Sequence, residues 1–195
     1  MGIYEFAGCV VSYEPLYGLL RRRMETYRSD TERQPDITLD GTKEDYEKLR
    51  KQYPHLSIEE CEYSCAGAEF YMKLLKHQGF MIHASAVEKE GKAYLFSAPS
   101  GTGKSTHAQL WRQTFKGEPI RIINDDKPAV CLQNGVFYAC GTPFSGKTDK
   151  NENRKAPIQG LCMLHRGKTN KIQKITSGEA LPLILPQTLF YGDEE

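Results

Sequence analysis

Residues 94–106, Tyr-Leu-Phe-Ser-Ala-Pro-Ser-Gly-Thr-Gly-Lys-Ser-Thr, break an apolar run with a glycine-rich turn ending in Gly103-Lys104-Ser105. A turn of this kind constrains the fold, because it needs a buried strand before it and a helix after it to bind phosphate. Both are legible. Ala93–Ser97 is a short apolar and aromatic run suited to a buried strand. Residues 105–115 contain no Pro or Gly, and Ala108, Leu110, Trp111 and Phe115 fall near helical spacing. Backbone N–H groups around Gly101 and Gly103 can converge on phosphate oxygens, Lys104 adds a point charge, and the Ser105 hydroxyl can hold Mg²⁺. The following helix turns its positive end to the same anion. Ser100, Gly101, Thr102, Gly103, Lys104, Ser105 and Thr106 are therefore the candidate phosphate-binding residues.

A second segment competes. Gly141-Thr-Pro-Phe-Ser-Gly-Lys-Thr148 matches the pattern of Gly, four residues and Gly-Lys-Ser/Thr in full, whereas 98–106 carries Ala98 in place of the first glycine. Context decides between them. The second segment follows a strand-like run, Gly135–Cys140, but is succeeded by Asp149-Lys-Asn-Glu-Asn-Arg-Lys155, polar all round and ending at Ala156-Pro157. That reads as a solvated loop. Pro143 also removes one N–H from the would-be cradle. The phosphate site is assigned to 98–106, on the condition that Ala98 keeps a negative φ. The plain alternative is a ligand-free turn, since Pro99-Ser100-Gly101 is good turn chemistry by itself.

At 195 residues, the chain supports one domain, or one domain with a modest appendage. A formal net charge of +1 gives no global basic field, so no nucleic-acid partner is expected. No apolar run approaches the roughly 20 residues of a membrane helix, so no membrane partner is expected. The first residues, Met-Gly-Ile-Tyr-Glu-Phe-Ala, lack the basic and apolar parts of a secretory signal. The expected location is cytoplasmic, and the six cysteines read as free thiols without zinc-ligand spacing.

Along the chain, residues 3–13 suggest one or two strands, and 14–55 are polar and charged. Arg21-Arg22-Arg23 reads as a solvated face, and Asp45–Arg50 can begin a short helix. Residues 57–78 form the best helix, capped by Ser57 with Glu60, interrupted at Gly67 and stopped at Gly79. Phe80–Val87 reads as one strand with His83 buried inside it, turned at Glu90-Gly91 into the strand before the glycine loop. Short strands at 119–123, 129–132, 136–140 and 158–164 follow. The expected fold class is α/β, a strand-rich mixed sheet with a P-loop helix rather than a regular βαβ alternation. Two parts are expected: an N-terminal α+β segment, 1–80, packed on a nucleotide-binding core, 81–195.

Asp125 and Asp126 end an apolar strand 21 residues past Lys104. A strand-end Asp in a phosphate-loop enzyme holds the metal or its water shell, and one that reaches a substrate hydroxyl can act as general base. Strand periodicity predicts that the two side chains face opposite ways. The plain alternative is a surface turn, Asn-Asp-Asp-Lys-Pro.

Ile82–Val87, Phe96–Thr106, Asn124-Asp125-Asp126 and Gly141–Gly146 occur in that order and together resemble the HPr kinase/phosphorylase-like group, whose nucleotide fold is shared with phosphoenolpyruvate carboxykinase. The resemblance covers roughly residues 80–165. It implies that Lys104 and Ser105 bind nucleotide phosphates and Mg²⁺, that Asp125 or Asp126 is the base, and that His83 lies near the transferred phosphate. Asp125, with Ser105, is the candidate metal contact. It also implies that Gly141–Gly146 borders the site without binding the β-phosphate, with Lys147 and Arg154 beyond it as sources of charge. Catalytic roles thus fall to Asp125, Asp126, His83 and Lys104. The chain ends at Glu195, without the further C-terminal segment through which the group's protein kinases engage their substrate, so HPr itself is not carried over.

The expectation is a Mg-ATP-dependent phosphotransferase acting on a hydroxyl, such as a serine, of a peptide or small molecule, with homo-oligomeric assembly left open. The rival readings are a nucleotide-binding regulatory module without turnover, a carboxykinase-type enzyme, disfavoured by the short chain and lack of a His-rich Mn²⁺ site, and a structural protein with a chance turn.

Overall fold

The computed structural model describes residues 1–189 apart from Lys116 and Lys147. The chain opens with a hairpin, β1 (Gly2–Phe6) and β2 (Cys9–Tyr13), to which the two-residue β3 (Ile37–Thr38) adds in parallel. Helices α1 (Gly18–Glu25), α2 (Lys43–Gln52) and α3 (Ile58–Leu74) accompany this small sheet. The Ser57–Glu60 capping box forms as expected, with each side chain bonded to the other residue's backbone N–H.

Two local expectations fail for packing reasons, and a third, the solvated arginine face, holds for Arg21 and Arg22 but not for Arg23. Gly67 does not interrupt α3; it is buried there because a Cβ would stand 3.0 Å from the Phe144 ring. The helix ends in a 3₁₀ turn, Leu75–His77, and the left-handed residue is Gln78 (φ 56°), with Gly79 already beginning a strand. The arginine triplet lies on α1, whose Leu20 and Met24 are buried at i, i+4 spacing. Arg23 is no solvated residue: its side chain is 11% exposed and reaches into the loop at 145–149.

The second sheet has seven strands, in the order β4 (Gly79–Met81), β8 (Ala129–Gln133), β9 (Val136–Cys140), β10 (Lys155–Met163), β6 (Lys92–Ser97), β5 (Ala84–Lys89) and β7 (Arg121–Asn124). The architecture is mixed α/β, as expected. The single strand expected over Phe80–Val87 is two: β4 pairs with β8, β5 pairs with β6, and the chain breaks at Ile82-His83 to pass between them. The hairpin turn at Glu90-Gly91 forms, with φ of 52° and 72°. Strand β10 joins the two halves of the sheet. Lys155–Pro157 pair antiparallel with β9, and from Ile158 on the strand runs parallel to β6, with a register shift between Ile158 and Gly160. Helix α4 (Lys104–Thr114) packs Ala108 and Trp111 against Val87, Tyr94 and Phe96. Helix α5 (Ser177–Ile184) and a 3₁₀ turn, Leu185–Gln187, close the described chain.

One core spans residues on both sides of position 80. Phe6, Phe70 and Tyr71 from the N-terminal part surround Phe144, with Phe70 stacked on it at 5.7 Å between centroids. Ala129, Cys131 and Cys140 of the large sheet belong to the same cluster. Among the described residues no helix is long and apolar enough to cross a membrane.

Because Phe144 is only 1% exposed and contacts four other aromatic rings, Phe144→Ala is expected to lower the unfolding free energy by about 3–5 kcal/mol. Urea denaturation checks this; a loss below about 1 kcal/mol would mean that the cluster does not hold the loop.

Candidate functional site

Strand directions gather the candidate residues at one end of the large sheet. β6 and β7 both run antiparallel to β5, and β10 runs parallel to β6. The C-terminal ends of β6, β7 and β10 therefore lie with the N-terminal end of β5. The glycine loop follows β6, Asp125 and Asp126 follow β7, and His83 immediately precedes β5. In open α/β sheets, the carboxyl ends of strands are where loops can enclose a ligand.

The loop 98–103 has the strand before it and the helix after it that its sequence requires. Gly101 and Gly103 have φ of 77° and 116°, which a side chain resists, and Gly103 caps α4. Ala98 is fully buried and is not among the positive-φ residues, so its methyl group meets the condition set for it. No side chain caps α4, so its first N–H groups face the loop. Lys104, 7% exposed, folds over the loop and donates from Nζ to the Ala98 carbonyl at 3.0 Å. Burial lowers its pKa, and the charge of Asp126 works in the opposite direction. Ser105 Oγ lies 3.4 Å from the Asp125 carbonyl oxygen.

The two carboxylates stand in different surroundings. β7 ends at Asn124, so Asp125 and Asp126 occupy a bend rather than alternate along a strand, and the expected opposition of faces does not arise from strand periodicity. Asn124 shapes that bend: its Oδ1 accepts the N–H groups of Asp126 at 3.0 Å and Lys127 at 2.8 Å, and its Nδ2 donates to Thr142. Asp125 is 3% exposed and accepts the Gly146 N–H at 3.1 Å. Burial raises its pKa, the Gly146 hydrogen bond lowers it, and the negative charge of Asp126 raises it. For Asp126, burial also raises the pKa, but the hydrogen bond from His83 and the charge of Lys127 outweigh it, and the net shift is downward. His83 Nε2 lies 3.3 Å from Asp126 Oδ1, and Lys127 Nζ lies 3.4 Å from Oδ2.

His83 is not a buried strand residue. It sits in the break before β5 with its side chain 27% exposed. Its backbone N–H donates to the Gln187 carbonyl at 2.7 Å, its carbonyl accepts from Ser97 Oγ, and its Nδ1 is 3.3 Å from Gln187 Oε1. The Gln187 side-chain oxygen at one nitrogen and a carboxylate at the other fix the ring between β5 and the 3₁₀ turn at Leu185–Gln187.

The full pattern match at 141–148 is a structural loop. Thr142, Phe144 and Ser145 are buried, and no helix follows. Arg23 Nη1 and Nη2 donate to the Ser145 and Gly146 carbonyls, its Nε lies 3.0 Å from Asp149 Oδ1, and its guanidinium stacks 4.8 Å from the Tyr63 centroid. Lys147 lies outside the described residues. Arg154 does not reach the site: it pairs with Glu88, at the far end of β5, and with Glu152. It also lines a cleft of about 310 Å³ with Glu5, Arg33 and Cys140, which contains none of the other candidate residues.

Arg23, Asn124, Gln187 and Arg166, whose Nη2 donates to the Gly101 carbonyl at 2.6 Å, were not singled out as site residues from the sequence. Of these only Asn124 carried a signal, its place beside the aspartate pair. Compared with protein-family models and with curated proteins, the chain has no match.

The opposite shifts of the aspartates give opposite stability effects. Asp125 has a folded pKa above its ordinary 3.8, so its ionisation costs stability as pH rises from there through the folded value. Asp126 has a folded pKa below 3.8, so it stabilises above 3.8, and that contribution is lost as pH falls through the folded value. Asp125→Asn is therefore expected to raise Tm at pH 7 and Asp126→Asn to lower it, with both differences shrinking in acid. Equal shifts in thermal melts from pH 3 to 7 would contradict the assignment.

Proposed function

We propose that this chain is a Mg-ATP-dependent phosphotransferase acting on a hydroxyl, in the manner of the HPr kinase/phosphorylase-like group that its sequence resembles. The observation that carries the reading is the convergence of the glycine loop, buried Lys104, Ser105, both aspartates and His83 at one end of the large sheet. The loop amides from Ser100 to Thr106 and the N-terminus of α4 bind the β- and γ-phosphates. The Lys104 ammonium, already desolvated, adds charge at short range.

Ser105 and Asp125 suit Mg²⁺ bound through a nucleotide. The Ser105 hydroxyl lies beside the main chain of Asp125, and no cluster of three or more acidic, His or Cys ligands occurs among the described residues. Mg²⁺ commonly takes only one or two protein ligands and completes its shell with phosphates and water. When bound, it neutralises charge on the phosphate oxygens.

Asp126 is the base. It is the carboxylate held ionised, it is partly open to solvent, and its field reaches Lys104. In the transfer, the acceptor hydroxyl oxygen attacks the terminal phosphorus and its proton passes to Asp126. The new P–O bond forms as the bridging P–O bond breaks, and the nucleoside diphosphate leaves with that electron pair. His83 orients Asp126 through Nε2 while Gln187 fixes the ring from the other side. Six free cysteines suit a reducing, cytoplasmic setting for such an enzyme.

Mg-ATP at 100 times its Kd is expected to raise Tm by roughly 5–10 °C, and Lys104→Ala to abolish that rise while remaining folded by circular dichroism. Asp126→Asn is expected to keep the rise and to reduce phosphoryl transfer by about 10²–10⁴-fold. No shift with wild-type protein would refute the nucleotide site. A shift without transfer to any hydroxyl would leave a binding module.

A further inference from the structure

Leu164–Ile175, between β10 and α5, is irregular chain carrying His165, Arg166, Lys168, Lys171 and Lys174 and no acidic residue. Several cations elsewhere have a carboxylate partner: Arg23 has Asp149, Lys73 has Glu69 and Asp40, Lys89 has Glu118, Arg121 has Glu152 and Arg154 has Glu88. Among the described residues, Arg166, Lys168, Lys171 and Lys174 have no carboxylate within ion-pair distance. Among the described residues, therefore, no carboxylate neutralises this charge.

The strip begins at the candidate site. The Leu164 N–H donates to the Ser97 carbonyl at 2.8 Å, continuing the β10–β6 pairing up to the start of the glycine loop. Two residues on, the Arg166 guanidinium touches the Gly101 carbonyl. The other three cations are distributed over the next eight residues, which can span up to about 25–30 Å when extended. Ile172, 88% exposed, stands among them. Charge spread over that length exceeds one small metabolite and suits an extended chain with several carboxylates and an apolar side chain for Ile172.

We propose that the 165–174 strip docks an acidic peptide and delivers its hydroxyl-bearing residue past Arg166 to the glycine loop and Asp126. This deepens the phosphotransferase reading and rests on it for the identity of the hydroxyl; the docking itself does not require turnover. Carboxylates of the peptide pair with Lys168, Lys171 and Lys174, and binding weakens with salt because those pairs are exposed.

The test uses a fluorescein-labelled peptide with one serine flanked by glutamates, its counterpart with lysines in place of the glutamates, and a single-stranded oligonucleotide of the same charge as the acidic peptide. Anisotropy is read on wild-type protein and on the triple variant Lys168→Glu/Lys171→Glu/Lys174→Glu, with the Mg-ATP melting shift measured on both. Arg166 is left intact because it touches the loop. The acidic peptide is expected to bind wild type at least tenfold tighter than the lysine peptide, and the triple variant at least tenfold weaker, with the Mg-ATP shift unchanged. Equal binding of the two peptides, equal binding by the two proteins, or tighter binding of the oligonucleotide would each overturn the docking proposal. Loss of the Mg-ATP shift in wild type with peptide selectivity retained would overturn the nucleotide reading and leave the docking strip standing.

Discussion

The parallel pairing of β10 with β6 is the constraint on which the rest of the site depends. β6 alone has an antiparallel partner in β5, which would leave its other edge unpaired. β10 covers that edge, and its first three residues cover β9 as well, so a single nine-residue strand closes both halves of the sheet. Because the pairing is parallel, the segment leaving β10 emerges beside the glycine loop. An antiparallel β10 would send Arg166 to the opposite end, where Glu88 and Arg154 lie.

A second constraint is the supply of counter-charge. Lys104 is buried among backbone groups and is not paired with a carboxylate within ion-pair distance; it rests on the Ala98 carbonyl and the more distant field of Asp126. Asp125 is buried with backbone N–H groups, that of Gly146 first, as the donors to its carboxylate. Each is held in a state that a bound phosphate or cation would relieve, since either supplies the missing opposite charge. Asp126 differs because His83 and Lys127 already compensate it. Adjacent carboxylates in one bend thus differ in protonation tendency through their neighbours alone.

Local chemistry made much of this legible in the sequence. The strand, glycine loop and helix at 92–114, the capping box at Ser57 and the turn at Glu90-Gly91 follow from rules that act within a few residues. What stayed hidden depends on distant partners. The break at Ile82-His83 exists because β4 and β5 pair with different strands, and a continuous apolar run carries no sign of that. Arg23 looks like its neighbours Arg21 and Arg22 until the 145–149 loop arrives to accept its hydrogen bonds. Gln187 reaches His83 across 104 residues of chain, a distance no periodicity can report.

The two glycine-lysine motifs show what separates a pattern from a site. At 141–148, two residues between the glycines face inward: Phe144 fills the aromatic core and Ser145 gives its carbonyl to Arg23 and Tyr63. The Gly146 N–H points toward the candidate site, where it steadies Asp125. In the 98–103 loop the left-handed φ of Gly101 and Gly103 turns the chain away from sheet pairing before α4 begins, and the Thr102 N–H bonds to the Pro99 carbonyl. The missing first glycine is immaterial there, since the backbone at position 98 needs no left-handed φ and the interior accepts one methyl group. Arg23 links the motifs physically. By holding the carbonyls of Ser145 and Gly146, it sets the direction of the N–H that Asp125 accepts, so the matching loop contributes to the site as the support of its buried carboxylate.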